Sequence, residues 1–266
     1  MHGNDACYRY IPISERDRAW GIFVTCGGYV RIPPGGAYPP DGHPEGYRFA
    51  ADMGRTLDEY QLHYIARGRG GFSRAPGLEQ PLEAGTAFLL FPGVWHNYRP
   101  DPTVGWDEWW IGLDGDQAER VLDTPFFGAE RPLLPVRDDR RLIDRFTELV
   151  DILQEDPPEL QRLLGSLALL LLGCLQVAEA QADLHGASNA DAVRAAKRRI
   201  AADPTAPLDG HRLARELGVG YHWLRRAFRR HTGFSMTGYR TQLLFQQAMR
   251  LLDESDLDIK QVALRL

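Results

Sequence analysis

The sequence predicts an α+β multidomain protein: a β-rich N-terminal part, a helical middle and an all-α C-terminal module. Three observations predict it. Residues 1–115 hold short, aromatic-rich runs separated by Gly and Pro clusters, the pattern of a barrel or sandwich of short strands. Near Asp116 the apolar spacing changes to three- and four-residue steps, the period of a helix face. From Asp191 onward the charge reverses: 14 Lys and Arg stand against 8 Asp and Glu, whereas the residues before it carry 17 and 28. A length of 266 residues suits about two domains. With 44% hydrophobic and 25% charged residues, the chain has the balance of a globular protein rather than a disordered one.

The elements follow in order. Breaks fall at 32–36 and 38–42, both rich in Gly and Pro. Strands are predicted at 20–25, 60–66, 86–91 and 106–113. Helices are predicted at 117–124, 138–155 and 159–184. In the second of these Leu142, Ile143, Phe146, Leu149, Val150 and Leu153 recur at helical spacing. Asp156-Pro157-Pro158 divides the last two, with a proline placed where a helix can begin. Residues 159–184 carry Leu163, Leu164, Leu167, Leu170, Leu171, Leu175 and Val177. That face is broader than one partner helix needs, so part of it is expected to meet a second subunit; packing within one subunit is the alternative. Its uncharged run, 163–178, is shorter than the ~20 residues that span a bilayer. A buried helix and no membrane span are expected. Residues 185–189 read as a linker, with Ser188 or Asn189 capping the next helix.

Cys7, Cys26 and Cys174 lie far apart, and no CxxC occurs. Neither a zinc ribbon nor a disulfide framework is expected. A reducing, cytoplasmic setting fits, and the N-terminus lacks the basic start and apolar run of a signal peptide.

The segment 208–233 carries the most chemistry. Leu213, Ala214 and Leu217 make one short helix pattern, which stops at Gly218. Leu224, Ala227 and Phe228 make another, which begins after Gly220. Two short helices about a Gly-containing turn are the outline of a helix-turn-helix, whose second helix enters the DNA major groove. Along 221–231, His222, Arg225, Arg226 and Arg229 share a face opposite the apolar one. This predicts double-stranded DNA as partner. Arg225 or Arg226 would meet guanine edges, and Arg229 and Arg230 phosphates. The alternative is a solvated basic face; the basic, all-helical setting favours DNA.

These residues resemble the DNA-binding domain of AraC-type transcription regulators. The likeness runs from Leu208 to Leu252: Leu213-Ala214, Gly218, Leu224, Arg226, Phe228, Thr232-Gly233, then Ser235, Tyr239, Ala248 and Leu251-Leu252 of a long connecting helix. It implies base contacts by His222, Arg225 and Arg226. Ile259, Val262 and Ala263 resemble the start of a second helix-turn-helix unit. Two residues depart from the pattern: Gly220 stands where a Ser cap is usual, and Leu244 where the long helix usually has Arg. The sequence stops at Leu266, before the second recognition helix, so one recognition helix is expected to insert.

Residues 85–98 resemble the second half of a cupin barrel motif: an apolar strand, Pro92-Gly93, then His96. In many cupins that His binds a metal with two further His and a Glu. The first half, a His-x-His pair with a Glu, is missing, because His43 and His63 stand alone. Neither metal nor cofactor is therefore expected. The family's sensory domain is a metal-free barrel of this kind, and the match covers 57–115. Residues 106–111 alternate Trp106, Glu108 and Trp110 with Asp107, Trp109 and Ile111. The resemblance implies that Tyr98, Glu108 and Trp110 point into a ligand pocket, joined by Arg55. His96 is placed in the same ligand set. Aromatic walls with a few polar groups suit a sugar or related polyol; the alternative is a barrel filled by its own side chains. Residues 1–18 are expected to form an arm over the pocket, as in the family, or a frayed end.

The resulting expectation is a cupin-like ligand-binding domain (1–115), a helical dimerisation region and linker (116–187) and a partial helix-turn-helix domain (188–266). The homodimer would form through 138–184. The function expected is a ligand-responsive transcription regulator with no catalytic residues. The rivals are a metal-dependent cupin enzyme with a helical tail and a ligand-independent regulator.

Overall fold

The computed structural model describes residues 6–40, 42–44, 47, 53–124, 126–136, 140–183 and 187–266, without the side chains of 179–183 and 187–190. The chain divides into two compact units, Met1–Glu179 and Ala180–Leu266.

The first unit is an antiparallel, cupin-like sheet structure backed by helices. Its strands are β1 (Ala6–Tyr10), β2 (Phe23–Ile32), β3 (Tyr60–Ser73), β4 (Glu79–Glu83), β5 (Thr86–Leu90), β6 (Asn97–Pro100), β7 (Trp106–Asp114) and β8 (Leu133–Pro135). The helices are α1 (Glu15–Arg18), α2 (Asp116–Leu122), α3 (Arg140–Glu155) and α4 (Leu160–Asp183). The order is β1-β2-β7-β3-β5-β8, with β4 and β6 also on β3. Strand β3 is the pivot. Its first part pairs with β7 and β5, and its last five residues pair with β4 and β6. A bulge between Ile65 and Arg67 interrupts the β7 pairing near the end of the first part, where bulges bend a strand.

Two predicted strands are longer than expected, and for one reason. Gly27-Gly28 and the set Gly68, Gly70 and Gly71 lie beyond the expected strand ends at 25 and 66, yet inside strands. A Cβ on Gly28 would sit 2.4 Å from Tyr8 Cβ, and one on Gly68 2.1 Å from the Gly105 carbonyl oxygen. Glycine here lets neighbouring backbone approach rather than ending the strand. Trp20, expected in a strand, precedes β2 and is 44% exposed. Residues 6–10, expected as an arm or a frayed end, are an edge strand paired with β2 from Ala6↔Val30 to Tyr10↔Cys26.

The alternation in β7 sorts its side chains between two cores. Trp106 and Trp110 join Phe72, Phe88 and Tyr98 inside the sheet structure. Trp109, Ile111 and Leu113 face a second core built with Phe146, Leu149 and Leu153 of α3 and Leu164, Leu171 and Leu175 of α4. Both faces are covered, so eight of the nine residues of β7 are buried. Helix α4 is long and apolar enough over Leu160–Ala178 to cross a membrane by composition alone. Its packing against the sheet is that of a core helix. Leu163, Leu170 and Val177 nevertheless stay 48%, 47% and 45% exposed, one above another at seven-residue intervals.

The second unit is α5 (Ala187–Ala202), α6 (Gly210–Glu216), α7 (Tyr221–Thr232), α8 (Met236–Glu254) and α9 (Ile259–Arg265). Of the expected linker 185–189, residues 185 and 186 lie outside the described residues. Residues 187–189 are the first turn of α5, so Ser188 and Asn189 are helical rather than capping; a first turn tolerates them because its N–H groups lack helical partners. The caps are specific. The Asp209 carboxylate accepts from the N–H groups of His211 and Arg212 at 2.9 and 3.0 Å. Ser235 accepts from Gly238 N at 2.9 Å, and Asp258 forms a capping box with Gln261. Val193, Ala196, Ile200, Leu213, Leu224, Phe228 and Met236 form one core.

Candidate functional site

Four of the five expected ligand residues meet in one cavity of the first unit. Arg55, Tyr98, Glu108 and Trp110 line a cavity of about 30 Å³ together with Tyr10, Tyr38, His43, Tyr47, Gln61 and His63. That volume is far below the ~300–1,000 Å³ usual for ligand pockets, so the lining side chains themselves fill most of the space. Strand period places most of the lining: Glu108 and Trp110 alternate inward on β7, and Gln61 and His63 on β3 beside it, with His63 opposite Trp110.

The polar groups form a connected chain. Glu108 Oε1 lies 2.8 Å from His63 Nδ1, and its Oε2 accepts from the Tyr38 hydroxyl at 3.2 Å. His63 Nε2 is 3.0 Å from Gln61 Oε1, and Gln61 Nε2 donates to Glu59 Oε1 at 2.7 Å. The Tyr47 hydroxyl donates to the other Glu59 oxygen at 3.1 Å. Arg55 donates to the Tyr98 hydroxyl at 3.0 Å and to the Tyr47 carbonyl. Burial drives the His63 pKa down and outweighs the Glu108 carboxylate, which pulls it up. Burial raises the pKa of Tyr38 and of Tyr98, the latter against the opposing charge of Arg55. The phenols are therefore neutral donors and acceptors at neutral pH. Hydroxyls, an amide, a carboxylate and a guanidinium around aromatic faces can hold a small polar molecule with an apolar side.

His96 is the exception, and its place corrects the expected ligand set. It lies before β6, with its backbone paired to Arg55 in both directions at 2.9 Å. Its Nδ1 faces the Val94 carbonyl at 3.0 Å. The ring lines a separate recess with Phe72, Leu90 and Trp95, behind Tyr98 at 6.1 Å between centroids. Burial lowers its pKa to about 4. It fixes the Arg55 backbone and does not face the cavity. Among the described residues, no group of three or more His, Cys, Asp or Glu is arranged to hold a metal.

Sequence reasoning missed Tyr10, Tyr38, His43, Tyr47, Gln61 and His63. Gln61 and His63 had a signal: polar residues at alternate positions of an otherwise apolar strand. The others come from a five-residue edge strand, too short to show a period in sequence, and from irregular chain.

In the second unit, α7 buries Leu224, Ala227 and Phe228 and exposes His222, Arg225, Arg226, Arg229 and Arg230. Gly220 caps the helix with φ −71° and without a side-chain bond, and Gly233 ends it at φ +77°. The His211 ring stacks on Tyr221 at 3.7 Å, joining the first turns of α6 and α7. Arg212 and Arg199 both pair with Glu216. Arg240, one helix on, donates to the Pro204 carbonyl at 2.7 Å.

Fold and site together define a class: a cupin-like ligand-binding domain joined in one chain to a helix-turn-helix module. Residues 35–172 match the family model of the AraC-like ligand binding domain, and residues 213–266 match that of a helix-turn-helix domain. The chain belongs to the AraC family of DNA-binding transcription regulators. It is 24% identical to the Msm operon regulatory protein of Streptococcus mutans over 225 residues, 82% of this chain and 78% of that one. It is 31% identical to the raffinose operon transcriptional regulatory protein RafR of Pediococcus pentosaceus over 97 residues, 36% and 35% of the two chains. It is 38% identical to the lactose operon transcription activator of Staphylococcus xylosus over 61 residues, 23% and 22% of the two.

Proposed function

We propose that this chain is a cytoplasmic, non-enzymatic regulator whose barrel binds a mono- or oligosaccharide and whose helix α7 reads DNA. The cavity carries the reading: Arg55, Tyr98, Glu108 and Trp110 converge there from three separate stretches of sequence. In this reading the aromatic rings take the C–H face of a sugar, while Glu108, Arg55 and the tyrosines bond its hydroxyls. The raffinose and lactose operons named for two relatives support a saccharide over other metabolites. Residues 1–115 form the sensor, 116–187 the dimerisation region and 188–266 the DNA reader, with no metal or cofactor.

His222, Arg225 and Arg226 contact base edges, and Arg229 and Arg230 contact phosphates. Two copies associate through 138–184, where the exposed Leu163, Leu170 and Val177 of α4 supply an apolar stripe; residues 138, 139 and 184 lie outside the described residues. Ligand binding shifts the population of DNA-competent dimers. Calorimetric titration with a panel of saccharides and other metabolites tests the effector. A saccharide is expected to give saturable heat. Heat from another metabolite class and from no saccharide would overturn the assignment.

A further inference from the structure

Helix α7 begins without a side-chain cap. Gly220 holds the N-cap backbone at φ −71°, ψ 138°, close to the φ −66°, ψ 159° of Ser235, whose hydroxyl does cap α8. The first helical bond of α7 runs from Leu224 N to Gly220 O at 2.9 Å. His222 stands in that turn and Arg225 just after it. Two side chains proposed to reach base edges therefore sit at the end of the helix, where backbone groups lack helical partners and fraying starts. Val219, the residue before the cap, packs into the same core as Leu224, a staple that fastens the buried side of the turn.

Tyr221 fastens the other side. Its ring stacks on His211 of α6, with centroids 3.7 Å apart and planes 23° from parallel. It also meets the His222 ring at 5.5 Å, edge to face. Arg225 lies one turn further along the same face of the helix. The ring has a shaped seat: a Cβ on Gly210 would come 2.9 Å from Tyr221 Cε2 and 3.2 Å from Met236 Cε. The first residue of α6 thus leaves the space that the Tyr221 ring takes. His211 is held in turn by its own N–H, which donates to the Asp209 carboxylate at 2.9 Å. The imidazole is exposed and lies outside the core of this unit, so its removal leaves that core intact.

We propose that His211 is a positioning residue for DNA reading. Acting through the Tyr221 ring, it holds the first turn of α7 in place of a side-chain cap, and with that turn the directions of His222 and Arg225. The proposal rests on α7 being the reading helix. Its exchange test needs no duplex and is decided apart from that reading.

Amide hydrogen exchange on the full chain tests the clasp. His211→Ala and Tyr221→Ala are each expected to speed exchange at the Leu224 amide about fivefold, the scale of one aromatic pair, and the double substitution no more than either alone. Tyr221→Phe keeps the ring and should change nothing. Gly220→Ser, added to His211→Ala, supplies a cap and should recover about twofold. The Gly233 amide, bonded to Arg229 O at the far end of α7, should keep its rate in the His211→Ala variant. In fluorescence anisotropy, His211→Ala should lose about threefold of the preference for a selected duplex over an unrelated one, at unchanged salt slope. An unchanged Leu224 amide, additive effects of the two alanines, no recovery with Gly220→Ser, or equal acceleration at Gly233 would each overturn the proposal. So would a uniform affinity loss with the salt slope lowered by about 1, the mark of a direct phosphate contact.

Discussion

The two candidate sites of this chain are built in opposite ways. The candidate DNA-reading face lies on one helix: five exposed cationic or imidazole side chains occur within nine residues, on a frame set by Leu224 and Phe228. The cavity is assembled from β1, β3, β6, β7 and irregular chain between them, and its polar groups bond one another. A surface helix can lose one side chain and keep its shape. A buried polar network cannot, because a broken pair leaves a desolvated group without compensation. Mutations of the exposed side chains of α7 should therefore change function at constant stability, whereas conditions that disturb the cavity should change both.

The frame beneath the helix gives the largest expected effect. Phe228 is fully buried, and Phe228→Ala should cost the second unit about 3–5 kcal/mol. A thermal melt followed in both units should show an early transition in the second unit and an unchanged one in the first. One shared, shifted transition would break the comparison.

Acidification should do the reverse. The folded pKa values of His63 and His96 are depressed, that of His96 to about 4, while unfolded His titrates near ~6.5. The unfolded state then binds more protons, so stability falls as pH drops below ~6.5. The slope approaches about 1.4 kcal/mol per pH unit for each such group until it titrates in the fold. Urea titrations at pH 7 and pH 5 should show the first unit losing stability on this account, and His96→Phe should reduce the loss.

Smaller still is the direct DNA effect. Arg226→Ala or Arg225→Ala should weaken binding to a preferred duplex by about 1–3 kcal/mol and relax its sequence preference. Arg229→Ala should weaken all duplexes alike and lower the salt slope by about 1. Equal, sequence-independent losses for all three would make the helix face a general phosphate binder.

The same contrast governs what could be read from the sequence. Helix α7 was legible nearly to the residue, because its apolar period, its Gly boundaries and its charges coincide on one short segment. The β7 alternation was legible for the same reason, and it located Glu108 and Trp110. His96 was misplaced in the ligand set because a motif fixes a residue's neighbours in sequence and not the direction in which a turn sends its ring. Tyr10, Tyr38 and His43 were illegible because they reach the cavity through long-range packing, Tyr10 from a short edge strand and Tyr38 and His43 from irregular chain. Strands β2 and β3 run past their expected ends because glycines that admit a neighbouring strand bring no side chains to extend the strand pattern.

The central claim is that occupancy of the cavity changes the reading of DNA by α7. The most direct measurement is the affinity of the full chain for a duplex selected from a random pool, by fluorescence anisotropy at fixed salt, with and without the saccharide that binds in calorimetry. The account predicts a change of about 5–150-fold, matched by an equal change in saccharide affinity when DNA is present. Saturable saccharide binding that leaves DNA affinity unchanged would contradict it.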